Sequence, residues 1–263
     1  MKIKLYHVDA FTNKVFAGNP AAVCPLNNWL QDELLQKIAM ELCVPETAFY
    51  VNEKDRYEIR WFTPAGAEVD LCGHATLAAA FVLFNYEGCK QDVIHFHSPR
   101  SGELTVTKNN DLLSLNFPAD IIEIVNITKQ FTDCFGITPL NVFKGKTDYL
   151  FVFDCEETIK NIQPDLNVIA QLPARGVIVT AKGDTVDFVS RFFAPQIGIN
   201  EDPVTGSAHT TLTPYWKNIL NKNELSAIQL SKRKGYLKCH YLGDRIEISG
   251  QAELFLAGEI NYH

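Results

Sequence analysis

The stretch EDPVTGSAH (Glu201–His209) decides the fold, because its pattern has an earlier counterpart in DLCGHAT (Asp70–Thr76). RFFAP (Arg191–Pro195) leads to the later copy, and RWFTP (Arg60–Pro64) leads to the earlier one. Each copy predicts an aromatic strand, a turn that contains proline, an acidic residue, a small polar pair around a glycine, and a helix. The copies lie about half the chain length apart, which predicts two similar lobes rather than a solenoid.

The glycine in each copy, Gly73 or Gly206, precedes the start of a predicted helix. The first amides of a helix have no partner within the helix and carry partial positive charge, so they favour anions. Glycine also lets the backbone approach a ligand closely. Tight packing of helix on strand would explain either glycine alone. The matched pair predicts two turns that face each other across a cleft and bind a small carboxylate.

The chain has 263 residues, 46% of them hydrophobic, which is enough for one large core or two moderate ones. A net charge of -7 argues against a nucleic-acid partner. We find no apolar run long enough to span a membrane and no signal peptide. Seven cysteines without short spacings indicate reduced thiols. These features predict a soluble cytoplasmic protein.

Periodicity predicts a helix over 29–42 that Asn28 caps, a helix over 74–85 that is apolar nearly all round, and a helix from Ser207 to about Leu220 that Pro214 kinks. Predicted strands outnumber the helices. We therefore expect an α+β fold with two pseudo-symmetric lobes, each a mixed or antiparallel sheet around a central helix. The lobes are predicted at 1–117 and 118–263, with the last strand able to return to the first.

Two carboxylates are candidates for chemistry. Glu46 follows a proline and opens an apolar strand, where partial desolvation would suit it to move protons. A solvated glutamate at a strand end is the alternative. Asp202 stands between Glu201 and Pro203, where it could accept a hydrogen bond from an imidazole or a substrate ammonium. Alternatively, it caps the next turn.

Three further residues are candidates for binding or proton transfer. His74 and His209 lie at helix starts, where the helix dipole is expected to lower the imidazole pKa and keep the ring neutral. When the glycines are aligned, His74 corresponds to Ser207, so we favour His74 over His209. Asn19 lies in a turn with glycine and proline, where backbone amides can stay free to bind a ligand.

Cys72 lies at a predicted helix N-terminus, where a thiol is expected to be acidified and to serve as a base or nucleophile. A two-thiol racemase would need a second cysteine at the matching place, which is occupied by Thr205. His95 and His97 share a strand face, but no nearby cysteine or carboxylate completes a metal set. No nucleotide or phosphate motif occurs. We therefore expect no metal.

The motifs together resemble the PhzF-like family of isomerases, named for a phenazine-biosynthesis enzyme. The resemblance spans the chain and is carried by these segments: Asp9–Thr12, Phe16–Val23, Pro45–Phe49, Arg60–Pro64, Cys72–Ala80, Arg191–Pro195 and Glu201–His209. It implies a diaminopimelate-epimerase-like fold with the site between the lobes, no cofactor, and frequently a homodimer.

The resemblance also implies roles. In the phenazine enzyme a glutamate shuttles a proton across a cyclohexadiene acid, with help from a histidine, an aspartate and a serine. Glu46, His74, Asp202 and Ser207 stand at the matching motif positions, with Gly73 on the anion-binding turn. Cys72 departs from the phenazine enzyme's pattern and is similar to the first catalytic cysteine of the epimerases.

Three functions are compatible with these residues. The leading one is a cofactor-independent isomerase that acts on a small anionic metabolite, with Glu46 as the general acid and base. In the second, Cys72 serves an amino-acid racemase, an epimerase or a dehydratase. The third is a binding protein for small acids that has lost turnover.

Overall fold

The computed structural model describes residues 2–262. The chain forms two compact units, one of residues up to Asn116 together with those from Ser249 onward, and one of Phe117–Ile248. Residues from 249 onward thus belong to the first unit, the return that the prediction allowed for the last strand. Within residues 2–262, no helix is both long and apolar enough to span a bilayer.

The first unit holds two helices, α1 (Asp32–Leu42) and α2 (Gly73–Asn85). Its strands are β1 (Lys2–Ala10), β2 (Asn19–Leu26), β3 (Glu46–Glu53), β4 (Arg56–Phe62), β5 (Glu68–Val69), β6 (Val93–Ser98), β7 (Gly102–Asn109), β8 (Leu112–Pro118, which ends just past the unit boundary) and β17 (Ala252–Asn261).

The second unit has the helices α3 (Lys129–Asp133), α4 (Glu156–Asn161), α5 (Leu166–Ile169) and α6 (Gly206–Leu220), with a 3₁₀ turn at Pro195–Ile197. Its strands are β9 (Glu123–Val125), β10 (Asn141–Lys144), β11 (Asp148–Val152), β12 (Gly176–Lys182), β13 (Phe188–Phe193), β14 (Glu224–Gln229), β15 (Gly235–Tyr241) and β16 (Arg245–Gly250).

The two units repeat one strand-pairing scheme. In the first, β2 and β3 run parallel, β3 and β4 antiparallel, β4 and β6 parallel, and β6 and β7 antiparallel. In the second, β11 and β12, β12 and β13, β13 and β14, and β14 and β15 follow the same order of directions. The structure therefore has the mixed sheets and the internal repeat that the sequence predicted.

The first unit is closed by a strand that follows the second unit in the chain. β1 pairs antiparallel with β17, from Lys2 opposite Asn261 to Ala10 opposite Ala252. In the second unit, β10 pairs antiparallel with β9, which follows β8 in the chain. The pairing of β1 with β17 explains why the C-terminal residues belong to the first unit.

Helix α2 is buried on all sides, as its composition predicted. Nine of its residues are buried, and it packs against β1, β2 and β3. Our prediction for α1 was wrong at its start, because the helix begins at Asp32 and Gln31 occupies the N-cap, without a side-chain cap. Asn28 is therefore no cap. Cys43 ends α1 in the left-handed conformation, with φ 52°.

Helix α6 contains Pro214, which has no amide to donate to the carbonyl of Thr210, one turn earlier. The amide of Asp120 donates to that carbonyl instead, at 3.2 Å. The side chain of Asp120 also accepts a hydrogen bond from Thr211, at 2.8 Å. Because Pro214 does not use it, the Thr210 carbonyl is available to bind the segment just after β8.

Candidate active site

Two arginines, one in each unit, brace the turn that leads to the buried helix. On β4, Nε and Nη2 of Arg60 each donate to a carboxylate oxygen of Glu68 at 2.8 Å. On β13, Arg191 binds Glu201 in the same bidentate way, at 2.7 and 3.0 Å. Planar, bidentate pairs of this kind are the strong and geometrically specific ones. These arginines of the repeat hold the turns in place.

In the first unit, three predicted residues form a buried chain. Glu46 opens β3, Cys72 is the N-cap of α2, and His74 lies in the first turn of α2. The Cys72 thiol lies 3.5 Å from Nδ1 of His74, and the Glu46 carboxylate lies 3.2 Å from Nε2. The imidazole thus stands between a thiol and a carboxylate, with one nitrogen toward each. All three side chains are buried.

The protonation of this chain differs from what the helix dipole alone predicted. Burial opposes a charge on His74, but Cys72 and Glu46 outweigh it and raise the pKa of His74 well above its ordinary value. Burial, followed by the charge of Glu46, raises the pKa of the Cys72 thiol, although His74 acts in the opposite direction. Our predictions of a neutral His74 and an acidified Cys72 were therefore wrong. The dipole is outweighed by burial and by neighbouring groups.

Asn19 joins the same cluster. Its side-chain amide lies 3.3 Å from Nδ1 of His74, and the residue is buried. The amide nitrogen can donate to a neutral ring, and the amide oxygen can accept from an imidazolium. Asn19 can therefore partner either protonation state of His74. The prediction placed Asn19 in ligand binding, and the structure places it against the imidazole.

One donor atom from each of Glu46, Cys72 and His74 lies within 4.8 Å of the others, close enough in principle for a shared metal ion. Thiolate, imidazole and carboxylate are ligand types that zinc accepts. However, the thiol and the carboxylate lie against different nitrogens of the ring. The thiol and the carboxylate thus flank the imidazole on two sides, rather than converging with it on one point.

In the second unit, the turn before α6 is held by a buried amide. Nε2 of Gln229 donates to the carbonyl of Asp202 at 2.8 Å, and its Oε1 accepts from the amide of Thr205 at 2.8 Å. The Thr205 hydroxyl donates to the Asp202 carboxylate at 2.5 Å. Asp202 therefore bonds within its own turn. Gln229 was missed, because one glutamine in a strand gives no sequence signal.

Ser207 lies in the first turn of α6, at the place that His74 takes in α2. Its hydroxyl accepts a hydrogen bond from Nη2 of Arg175, at 3.0 Å. Nε of the same arginine donates to the buried Asp148 carboxylate at 2.9 Å, and Nη2 also bonds this carboxylate. The sequence analysis missed Arg175 and Asp148, since they lie in separate segments that only the parallel pairing of β11 and β12 brings together.

His209 is a core residue. It is fully buried, its Nδ1 lies 2.9 Å from the carbonyl of Thr205, and its ring packs against Phe188. Burial lowers the pKa of His209 to about 4, while the Thr205 carbonyl acts in the opposite direction. The ring is therefore neutral at pH 7, as predicted, and our preference for His74 over His209 agrees with its packing.

The first unit thus brings together Glu46, Cys72, His74 and Asn19, and the second brings together Asp202 with Thr205 and Ser207 with Arg175. Gly73 and Gly206 each begin the buried helix of their unit, as the pattern predicted. The catalytic and binding roles of these residues stay predictions.

Known proteins share this fold. A hydroxyproline epimerase from Agrobacterium vitis superposes with a TM-score of 0.63 at 7% identity, covering 98% of this chain and 92% of the epimerase. That likeness defines the class of fold as epimerase-like. A structure of the phenazine biosynthesis protein PhzF family from Enterococcus faecalis superposes with a TM-score of 0.97 at 48% identity, and the match covers 100% of both chains.

The sequence comparisons give the family. The family model described as phenazine biosynthesis-like protein matches residues 8–258. An uncharacterized isomerase from Pseudomonas aeruginosa is 49% identical over 261 residues, which cover 99% of this chain and 100% of the relative. The chain belongs to the phenazine biosynthesis-like family. With three relatives named as isomerases at 44–49% identity, the protein is an enzyme of the isomerase class.

Proposed function

We propose that the protein is a cofactor-independent isomerase that moves a carbon-bound proton within a small carboxylate-bearing metabolite. The Glu46 carboxylate takes the proton, and the electron pair left on carbon delocalises within the substrate. Glu46 then returns the proton at another position of the same skeleton. One observation supports this most: a buried carboxylate lies 3.2 Å from an imidazole whose pKa is raised by Cys72 and Glu46 against the effect of burial.

The neighbours of Glu46 suit this work. A protonated His74 gives the Glu46 carboxylate a charged partner and a fixed direction, which suits a general base. Cys72 and Asn19 contact the other ring nitrogen, Nδ1, so the imidazole lies between these two residues and Glu46. The open amides at the start of α2, which begins at Gly73, would favour an anion.

The second unit supplies groups for binding in this proposal. Ser207 donates a hydrogen bond to the carboxylate of the substrate, and the amides at the start of α6, from Gly206, add partial positive charge. Asp202, held by Thr205, orients a polar group of the substrate. The helix ends contribute only about 0.3–1 kcal/mol each, so hydrogen bonds must provide most of the affinity.

The test is solvent deuterium exchange into a panel of cyclic acids and amino acids. We expect exchange by the native protein and a loss of about 10²- to 10⁴-fold in Glu46→Gln, the usual contribution of a general base. Glu58→Gln is the matched control, since Glu58 also pairs with a histidine, His97, at 2.9 Å. It should exchange at the native rate. Full exchange by Glu46→Gln would overturn the role of Glu46.

The second candidate is a racemase, an epimerase or a dehydratase in which Cys72 is the base. The contact of 3.5 Å between its thiol and His74 favours it, because a protonated imidazole stabilises a thiolate beside it. Cys72→Ala decides between the two candidates. An inactive Cys72→Ala beside an active Glu46→Gln would establish the thiol as the base.

We further propose that the enzyme works in the cytoplasm as a homodimer, as the family resemblance implies. Seven free thiols, two of them on exposed cysteines, support a reducing compartment. Light scattering of the purified protein tests the dimer, since a mass near 29.6 kDa would mean a monomer.

A further inference from the structure

The second unit has no carboxylate where the first has Glu46. On β3, Phe49 lies opposite Arg60, and on β12, Val179 lies opposite Arg191. With the two arginines aligned, the strand position of Glu46 corresponds to that of Gly176. A Cβ atom at Gly176 would lie 2.5 Å from the Phe192 ring, so no side chain fits there.

Arg175, the residue before this glycine, lies next to the start of α6. Arg175 contacts Ser207 in the first turn of α6, just as Glu46 contacts His74 in the first turn of α2. Its guanidinium also lies over the Phe192 ring, 5.2 Å from the centroid. The equivalent place thus holds a carboxylate–imidazole pair in one unit and a guanidinium–hydroxyl pair in the other.

The Asp148 carboxylate fixes the direction of Arg175. Asp148 is 1% exposed, and its carboxylate bonds Nε and Nη2 of the arginine and accepts from the Thr147 hydroxyl. Because Arg175 is held on two nitrogens and stacked on a ring, its Nη2 group meets Ser207 at a defined angle. A guanidinium fixed in this way is pre-organised to direct another group.

The chemistry of this contact determines what Ser207 can do. A guanidinium only donates hydrogen bonds, whereas a hydroxyl has one proton and two acceptor sites. The Ser207 oxygen must therefore accept from Arg175, which leaves its proton for a different partner. A hydroxyl that accepts from a cation is also polarised toward donation.

We propose that Arg175 is a positioning residue that commits the Ser207 hydroxyl to donate a hydrogen bond to the carboxylate of the substrate. The inference rests on the proposed function, in which Ser207 binds that carboxylate. It assigns anion recognition to the second unit and gives Arg175 and Asp148 a part in specificity. Arg175 acts through Ser207, so its effect disappears when the hydroxyl is absent.

The test measures binding of benzoate, a planar monocarboxylate, by NMR titration, with benzamide as the uncharged counterpart. We expect native protein to prefer benzoate and Ser207→Ala to weaken benzoate binding about tenfold, as loss of a hydrogen bond to a charged group does. Arg175→Lys keeps a cation beside Asp148 but loses the fork, and should weaken binding by the same factor. The double variant should bind like either single variant.

Controls separate this role from a purely structural one. Arg56→Lys, an exposed arginine in the other unit, should bind benzoate as native protein does. Asp148→Asn with Arg175→Gln removes the buried ion pair without leaving a lone charge, and should reproduce the binding of Arg175→Lys. Thermal unfolding of each variant establishes that it is folded.

Three results would overturn the proposal. Native protein could bind benzamide as well as benzoate, Arg175→Lys could bind like native protein, or the double variant could multiply the two single losses to about a hundredfold. The measurement involves no turnover, so failure of Glu46→Gln to lose proton exchange would refute the proposed function without changing this result.

Discussion

The first unit sets Glu46 against His74, and the second sets Arg175 against Ser207, at the matching helix starts of one framework. The bracing of the two frameworks is the same, since Arg60 binds Glu68 and Arg191 binds Glu201 in the same bidentate way. The ion pairs that hold the turns are therefore the same in both units, whereas the groups in contact with the helix starts differ. At the helix starts, one unit holds a carboxylate and an imidazole, which can transfer protons, and the other holds a guanidinium and a hydroxyl, which can donate hydrogen bonds.

The bracing pairs give the largest expected effect. Arg60→Met leaves Glu68, with a side chain 13% exposed, paired with Arg100, whose side chain is 46% exposed, and should cost about 3 kcal/mol in the free energy of unfolding. Arg191→Met should cost less, because the side chain of Glu201 is 26% exposed. Urea unfolding measures both. The double variant Arg60→Met with Glu68→Leu should recover much of the loss.

If both single variants lost less than about 1 kcal/mol, the pairs would behave as ordinary surface ion pairs. The two arginine–glutamate pairs would then not stabilise the turns that they contact. The similarity of the two units at these turns would carry no structural meaning.

The two histidines near the helix starts should respond to pH in opposite directions. His209 has a pKa of about 4 in the folded state, below its unfolded value, so the unfolded state binds more protons between pH 6.5 and 4. Stability should therefore fall by on the order of 3 kcal/mol as the pH drops through this window. His74, with its raised pKa, stabilises the fold below about pH 6.5, and this contribution is lost as the pH rises through its folded pKa.

NMR titration of the imidazole signals checks this directly, with His209→Asn and His74→Asn used to assign them. At pH 7 we expect a protonated His74 and a neutral His209. Two rings that titrate together near 6.5 would remove the electrostatic difference between the units.

The smallest effect concerns the clamp of the second turn. Gln229→Leu leaves the Thr205 amide and the Asp202 carbonyl without their partner, which should cost about 1–3 kcal/mol. The exposed Gln171→Leu is the control and should change stability by less than about 0.5 kcal/mol. Equal stability of the two variants would show that the second turn needs no clamp.

Local patterns in the sequence predicted the elements that local chemistry decides. The glycine with small polar neighbours marked the starts of α2 and α6, and the continuous apolar run from Ala75 marked α2 as buried. The spacing of Arg60 and Arg191 revealed the repeat. The family resemblance then placed Glu46, Cys72 and His74 in one motif set, and the structure brings their side chains together.

Features that depend on contacts between residues far apart in the chain could not be predicted from local sequence patterns. Against the effect of burial, the pKa of His74 is raised by Cys72 and by Glu46, which is far away in the chain, so the helix dipole gave the wrong direction. Arg175 looked like an ordinary surface residue, because its partners Asp148 and Ser207 meet it only through strand pairing and helix packing. The return of residues from 249 to the first unit rests on pairing with β1, which no local signal shows.

The pairing of β1 with β17 has a consequence for how the protein is made. Lys2 lies opposite Asn261, so the sheet of the first unit is completed by residues that are synthesised after the whole second unit. Domains generally fold from the N-terminus as the chain emerges. Here the second unit, which holds the continuous stretch Phe117–Ile248, can be completed earlier. Until β17 has emerged, β1 keeps an open edge on this side, and chains truncated before Ala252 are the ones most exposed to strand-mediated aggregation.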